Sequence, residues 1–253
     1  MDTILITGAA SGIGAATARL FHAQGWTLGL LDIDPQALAS LADELGGAWH
    51  TALDVTDAPA VQQALAAFCG LHNGQLRLLF NCAGVLRCGH FEAIALSEHA
   101  RILQINVLGL MTLTHGAFPY LKATPRAQVI NMGSASGVYG VPHLASYSAS
   151  KFAVRGLTEA LDLEWARHGI RVGDLMPPFV STPMLNDQQF VAPVVRRLGV
   201  RLEAEDIALA VWQQAQGAAV HRPVGWQFRL MYGAAQLAPG WINRLTMKWL
   251  SRD

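Results

Sequence analysis

Six short runs rich in Ile, Leu and Val recur along the chain, and none alternates apolar with polar residues. They are Thr3–Thr7, Trp26–Leu31, Ala48–Leu53, Leu76–Phe80, Gln128–Met132 and Ile170–Leu175. A strand that is apolar on both faces has to be covered on both faces. Helical patterns fill the intervals: Ala15–Gln24, Pro35–Leu45, Pro59–Leu71, Ser97–Leu121 and Ser146–His168. Strand and helix in alternation predict a parallel sheet with helices on either side, an α/β fold. Glu203–Gln216 reads as a further helix and Gly225–Leu230 as a last strand. Ser97 is expected to cap the helix reaching Leu121. Ser181–Gln189 reads as a polar loop with short helical turns. No linker, repeat or low-complexity segment interrupts the pattern, so one domain is expected over residues 1–253.

The chemically distinctive residues fall just past the strand ends. Gly8, Asp32, Asp54, Asn81, Ser134 and Pro177 each follow a strand, and ligands of open α/β sheets bind outside those carboxyl ends. Gly8-x-x-x-Gly12-x-Gly14 joins the first strand to the first helix. Glycines there let a pyrophosphate approach the backbone at a helix N-terminus. Ser11 and Ile13 belong to the same loop. The Lys-Ser/Thr ending of a triphosphate-binding loop is absent. Asp32 comes eighteen residues after Gly14, where a carboxylate can accept hydrogen bonds from ribose hydroxyls and would repel a 2′-phosphate. Ile33 follows it, so no cation in the sequence neighbourhood offsets that repulsion, and NAD is preferred over NADP. Asp54-Val55 is placed to meet the adenine. Capping remains an alternative for both aspartates.

Tyr147-x-x-x-Lys151 lies on a predicted helix, where residues four apart share a face. A nearby ammonium favours phenolate and brings a tyrosine toward the working range of a proton shuttle.

Taken in order, these segments resemble the short-chain dehydrogenase/reductase family. The matching residues are Thr7-Gly8-x-x-x-Gly12-Ile13-Gly14, Asp54-Val55, Asn81-Cys82-Ala83-Gly84, Asn106, Ser134, Tyr147-x-x-x-Lys151 and Pro177-Pro178-x-Val180-x-Thr182-Pro183-Met184. The resemblance implies a single Rossmann-type, doubly wound parallel sheet of about seven strands in the order 3-2-1-4-5-6-7. It implies hydride transfer between NAD and an alcohol or ketone. Tyr147 would be the general acid/base, Lys151 would tune it and hold the nicotinamide ribose, and Ser134 would bind the substrate oxygen. Asn106 would hold a water that relays protons from Lys151. Asn81, Ala83, Gly84, Pro177, Val180 and Thr182 would line the cofactor. Three departures stand out: Cys82 for a second asparagine, Pro178 for a glycine, and Gly133 where a second serine is frequent.

Residues placed toward the substrate are Leu86, Ser136, Val138, Tyr139, His143, Phe179 and Met184. Most are apolar, and no arginine pair awaits a carboxylate, so a medium-sized apolar alcohol or ketone is expected. The composition, 52% apolar and 14% charged, sits well below the roughly 25% charge of average soluble domains. A large core plus surface hidden in a homodimer or homotetramer accounts for that, through the helices near 97–121 and 146–168. Zero formal net charge gives no field for nucleic acid. Three cysteines without a Cys-x-x-Cys pair fit a reducing compartment, and neither a disulfide framework nor a metal site is expected. The first residues lack a secretory pattern, so a cytoplasmic location is expected.

The end of the chain is aromatic. Trp241, Leu245 and Trp249 recur at helical spacing beside Arg244, Lys248 and Arg252. Such a helix suits a cover over the substrate pocket or a subunit contact, with an anionic membrane surface as the alternative. A non-catalytic NAD-binding sensor, an NADP-dependent reductase and a nucleotide-sugar epimerase or dehydratase are the rival functions. The first lacks its expected loss of Ser134, Tyr147 or Lys151, and the last lacks room for a longer substrate domain.

Overall fold

A computed structural model describes residues 1–237 and 240–251. Its strands are β1 (Thr3–Thr7), β2 (Thr27–Asp32), β3 (Trp49–Ala52), β4 (Leu78–Asn81), β5 (Gln128–Met132), β6 (Arg171–Met176), β7 (Val180–Ser181), β8 (Leu202–Glu203) and β9 (His221–Pro223). The helices are α1 (Gly12–Ala23), α2 (Pro35–Glu44), α3 (Ala58–Gly70), α4 (Leu96–Leu103), α5 (Leu110–Lys122), α6 (Ala145–Trp165), α7 (Pro183–Asn186), α8 (Pro193–Leu198), α9 (Ala204–Gln216), α10 (Trp226–Leu237) and α11 (Gly240–Leu250). The main sheet has seven strands in the order β3-β2-β1-β4-β5-β6-β9, all parallel. That is the expected Rossmann-type order, with β9 as the seventh member.

The missing period-two pattern has a direct cause. Ile4, Ile6, Leu28, Leu30, Leu78 and Phe80 pack into a core with Phe21, Leu38 and Val211 on one face. Their neighbours Leu5, Leu31, Leu79 and Val129 pack with Phe68, Leu113 and Leu121 on the other. Successive side chains point to opposite faces, and both faces are dry.

Two expected elements differ. Gly225–Leu230 is not a strand: the seventh strand is the shorter His221–Pro223, and Trp226 begins α10. Pro223 has no N–H to extend a ladder, and Gly225 adopts φ +82, which turns the chain. The 97–121 helix is also interrupted. Residues Gln104–Gly109 form a π turn between α4 and α5, and Ala95, not Ser97, occupies the N-cap of α4.

A third apolar cluster joins Cys88, Val141, Leu144, Ala192, Val194 and Val195 to Met247 and Leu250 of α11. The inner face of the last helix therefore packs on α8 and on the loop before α6. Trp241, Leu245, Trp249, Arg244 and Lys248 face outward, exposed. Arg252 lies outside the described residues.

Candidate active site

The loop after β1 is shaped by backbone contact. Gly8 takes φ +67, and a Cβ there would stand 2.9 Å from the Cα and N of Ala83. A Cβ on Gly14 would stand 2.0 Å from the Gly8 carbonyl oxygen. Only glycine fits either position. Thr7 Oγ1 accepts hydrogen bonds from the Cys82 and Ala83 N–H groups, 3.0 Å each, which fixes the turn after β4 against the loop. Helix α1 then begins with no side-chain cap and no acid in its first turn. Its first N–H groups have no intrahelical partner, and Gly12, Ile13 and Gly14 line the central cleft. An anion-binding helix terminus results.

Asp32 ends β2 and lines the same cleft. Its Oδ2 accepts from Ala10 N–H at 2.9 Å and its Oδ1 from Asp34 N–H at 3.1 Å. The carboxylate thus also ties down the glycine loop. Asp32 is not the helix cap: Asp34 caps α2. Asp57 likewise caps α3, while Asp54 binds Thr56 N–H and Oγ1 at 2.8 Å and lines the cleft with Ile33 and Val55. Arg101, on α4, lines this cleft too. Sequence reasoning missed it, because nothing in its neighbourhood marks which face of α4 turns inward.

Ser11, Ala83, Gly84, Pro177, Val180 and Thr182 line the cleft with Ser134, Tyr147 and Lys151, and so does Pro178. Asn81 does not. It is buried behind the cleft, where its Nδ2 donates to Thr114 Oγ1 and Asn131 Oδ1, both 2.9 Å. It ties β4 to β5 and α5, so its expected place beside a cofactor is corrected to a supporting one.

Asn106 is 1% exposed and sits in the π turn. Its Oδ1 accepts from Val85 N–H at 2.8 Å, and its Nδ2 donates to Val85 O at 3.0 Å and Ser150 Oγ at 3.1 Å. Ser150 Oγ donates to Tyr147 O at 2.6 Å. The asparagine therefore clamps the strand-end loop to the helix turn that carries Tyr147 and Lys151. The extra residue of a π turn aims it inward.

Lys151 Nζ donates to Met132 O at 2.7 Å and lies 5.4 Å from the Tyr147 ring centroid. Burial pushes the ammonium down to about 8. Burial pushes the half-buried Tyr147 phenol up to about 12, while the Ser134 hydroxyl pulls the other way. The sequence expectation was a lowered phenol. Desolvation outweighs the Ser134 hydrogen bond, and burial also disfavours the neighbouring ammonium's own charge. Ser134 is 8% exposed, and its Oγ accepts from Ser136 N–H at 3.1 Å.

On the substrate side, Leu86, Ser136, Phe179 and Met184 line the cleft, joined by Leu144 and Leu185. Val138, Tyr139 and His143 do not. Val138 and Tyr139 pack against the cluster of Ala135, Met176 and Phe228. His143 takes φ +66, and its ring packs against His90 at 4.8 Å and Phe190 at 5.1 Å. It pins the loop instead of meeting the cleft. Cys82 lines the cleft as a thiol pushed up to about 12 by burial, which suits packing and not nucleophilic chemistry. Gly133 is required: a Cβ would stand 2.7 Å from Leu175 O, so the serine frequent in the family resemblance would not fit without movement.

Comparisons with known proteins give the family and the fold. Residues 2–190 match the short chain dehydrogenase family. The chain is 38% identical over 187 residues to the oxidoreductase UcpA of Salmonella typhimurium, covering 72% of this chain and 70% of the relative. It is 32% identical over 215 residues to a cyclohexanol dehydrogenase of Acinetobacter sp., covering 82% and 84%. The fold superposes on a short chain dehydrogenase/reductase from Burkholderia phymatum in complex with NAD, with TM-score 0.81, 26% identity, and coverage of 93% and 92%.

Proposed function

Because the chain belongs to the short-chain dehydrogenase family and is an oxidoreductase, we propose that it transfers a hydride between NAD and an apolar secondary alcohol or the corresponding ketone. One observation carries this reading: Tyr147, Lys151 and Ser134 line the same cleft as the glycine loop and Asp32. The loop fits a dinucleotide, since Gly8 and Gly14 leave no space for a Cβ and the α1 terminus is uncapped. Gly8, Ser11, Gly12, Ile13 and Gly14 would hold the pyrophosphate, Asp32 and Ile33 the adenosine ribose, and Asp54 and Val55 the adenine. Ala83, Gly84, Pro177, Val180 and Thr182 would flank the nicotinamide half. When bound, the nicotinamide supplies the acceptor for the hydride that leaves the carbinol carbon.

Tyr147 takes the hydroxyl proton at its phenolate oxygen during oxidation and returns it to the ketone oxygen during reduction. Ser134 Oγ holds the substrate oxygen where charge develops. Below about 8, where it is charged, Lys151 favours the phenolate. Asn106 positions the turn between them, and a water relay from Lys151 would pass beside it. With the phenol pushed up to about 12, the resting form at neutral pH is the proton donor. Ketone reduction therefore suits neutral pH, and alcohol oxidation gains as pH rises.

The apolar lining from Leu86, Leu144, Phe179 and Leu185 supports a carbon-rich substrate, and a relative named as a cyclohexanol dehydrogenase is consistent with one. A panel of secondary alcohols, cyclohexanol among them, followed by reduced-nicotinamide absorbance with NAD and with NADP, tests the reading. Turnover with NAD that rises from about pH 7 to about pH 10 is expected. Silence across the panel, or a clear NADP preference, would overturn it. Arg101 is the observation that favours the NADP alternative, as a cation lining the cleft that already holds Asp32.

The remaining expectations stay part of this proposal: one catalytic domain over residues 1–253, a cytoplasmic location, and a homodimer or homotetramer. Among the described residues, no helix is long and apolar enough to cross a membrane. Contact of α11 with an anionic membrane surface is a secondary reading, favoured by outward Trp241, Leu245 and Trp249 beside Arg244 and Lys248.

A further inference from the structure

A second pocket opens at the other edge of the sheet. Asp2 precedes β1, Trp26 precedes β2, Arg77 precedes β4, Arg126 lies two residues before β5, and Arg171 begins β6. In a parallel sheet these positions share the amino edge, opposite the cleft. All five line one cavity, closed by Trp212 of α9.

Its charge is unbalanced. Three guanidinium groups face one carboxylate, and among the described residues no ion pair joins any of the three to an acid. Arg77 is 7% exposed, and its Nε and Nη1 are buried without a hydrogen-bond partner. A buried, unpaired cation is costly, so the position asks for an external counter-charge. Burial and the charges of Arg126 and Arg171 hold the Arg77 guanidinium below its usual range, against the pull of Asp2. Arg171 is anchored by donating to Gly217 O. The wall is aromatic: Trp26 and Trp212 stand 6.2 Å apart at 75°, and the Arg77 guanidinium carbon lies 5.9 Å from the Trp26 ring centroid.

We propose that this pocket binds the phosphate or carboxylate group of a small molecule whose flat apolar ring lies against Trp26 and Trp212. Arg77 supplies the fork-shaped donor set that matches two oxygens of such a group, and Arg126 and Arg171 complete the charge. The site is separate from the cleft, so it stands or falls independently of the proposed hydride transfer.

Calorimetry and tryptophan-emission titration of the full chain at fixed ionic strength test this, with phenyl phosphate, benzoate and inorganic phosphate as probes. Saturable binding of phenyl phosphate or benzoate is expected, with inorganic phosphate weaker. Arg77→Gln should weaken binding by about tenfold or more. Arg126→Gln, at an exposed position that guards against a folding artefact, should weaken it severalfold. Lys151→Met, in the cleft, should leave it unchanged. No saturable binding by any probe would overturn the site, as would affinity unchanged in both arginine variants or lost in Lys151→Met. Equal affinity for inorganic phosphate would overturn the part given to the ring.

Discussion

Lys151 pays for its position with its own charge. It is 5% exposed and its ammonium is pushed down to about 8 by burial. Between that value and the ordinary lysine range, the unfolded chain binds more protons than the folded one, so stability rises with pH across that window. Below about 8 the penalty is present in full. Lys151→Met removes the titrating group. The stability of wild type relative to Lys151→Met is therefore expected to improve from about pH 8 to about pH 10 in urea unfolding. A difference that stays flat with pH would contradict the burial assigned to Lys151. The pairing of Tyr147 and Lys151 was legible because helical spacing alone fixes it. The direction of the Tyr147 shift was not, because desolvation comes from segments distant in sequence. His143 shows the same limit. Its place four residues before Tyr147 puts it within reach of the site or in a loop with no catalytic part, and the loop holds: α6 begins at Ala145, and His143 lies ahead of it in a left-handed conformation.

Among the strands of the main sheet, β9 is the shortest: three residues at its edge. It is held by a side-chain clasp. His221 Nδ1 lies 3.0 Å from both Asp174 oxygens on β6, and its Nε2 lies 2.8 Å from Glu159 Oε1 on α6. Burial pulls the imidazole down, but its hydrogen bonds to Asp174 and Glu159 and the charge of Asp174 outweigh it and raise its pKa. A raised folded value means stability present in full below the ordinary histidine range and lost as pH climbs through the folded value. His221→Gln should thus destabilise more at about pH 6 than at about pH 9, read by thermal unfolding of both proteins. An equal loss at both would contradict the clasp. This element also marks where sequence reading stopped. Six strands announced themselves as apolar runs, whereas β9 is His221-Arg222-Pro223 and owes its place to Asp174 and Glu159, not to hydrophobicity. The π turn was hidden too, since an α-helix and its one-residue bulge share nearly the same apolar spacing. Asn106 was visible through the family resemblance, but not its place in a π turn.

For the molecule as a whole, parallel strands put the glycine loop, both cleft aspartates and the catalytic candidates at one edge. This is why strand ends in the sequence located the site while substrate-side residues scattered. Exposed apolar side chains collect on the long helices: Leu103, Leu108 and Met111 around α4 and α5, Phe152 and Leu163 on α6. Light scattering is expected to give a dimer or tetramer, dispersed by Leu108→Glu combined with Met111→Glu. A wild-type monomer would contradict the proposed assembly. The central claim, that this edge is an oxidoreductase site working through the Tyr147 phenol, is tested most directly by Tyr147→Phe. NAD titration should show binding close to wild type, since the glycine loop and Asp32 are untouched. Reduced-nicotinamide formation from the best secondary alcohol should fall by about a hundredfold or more. Turnover near wild type with binding retained would contradict the account.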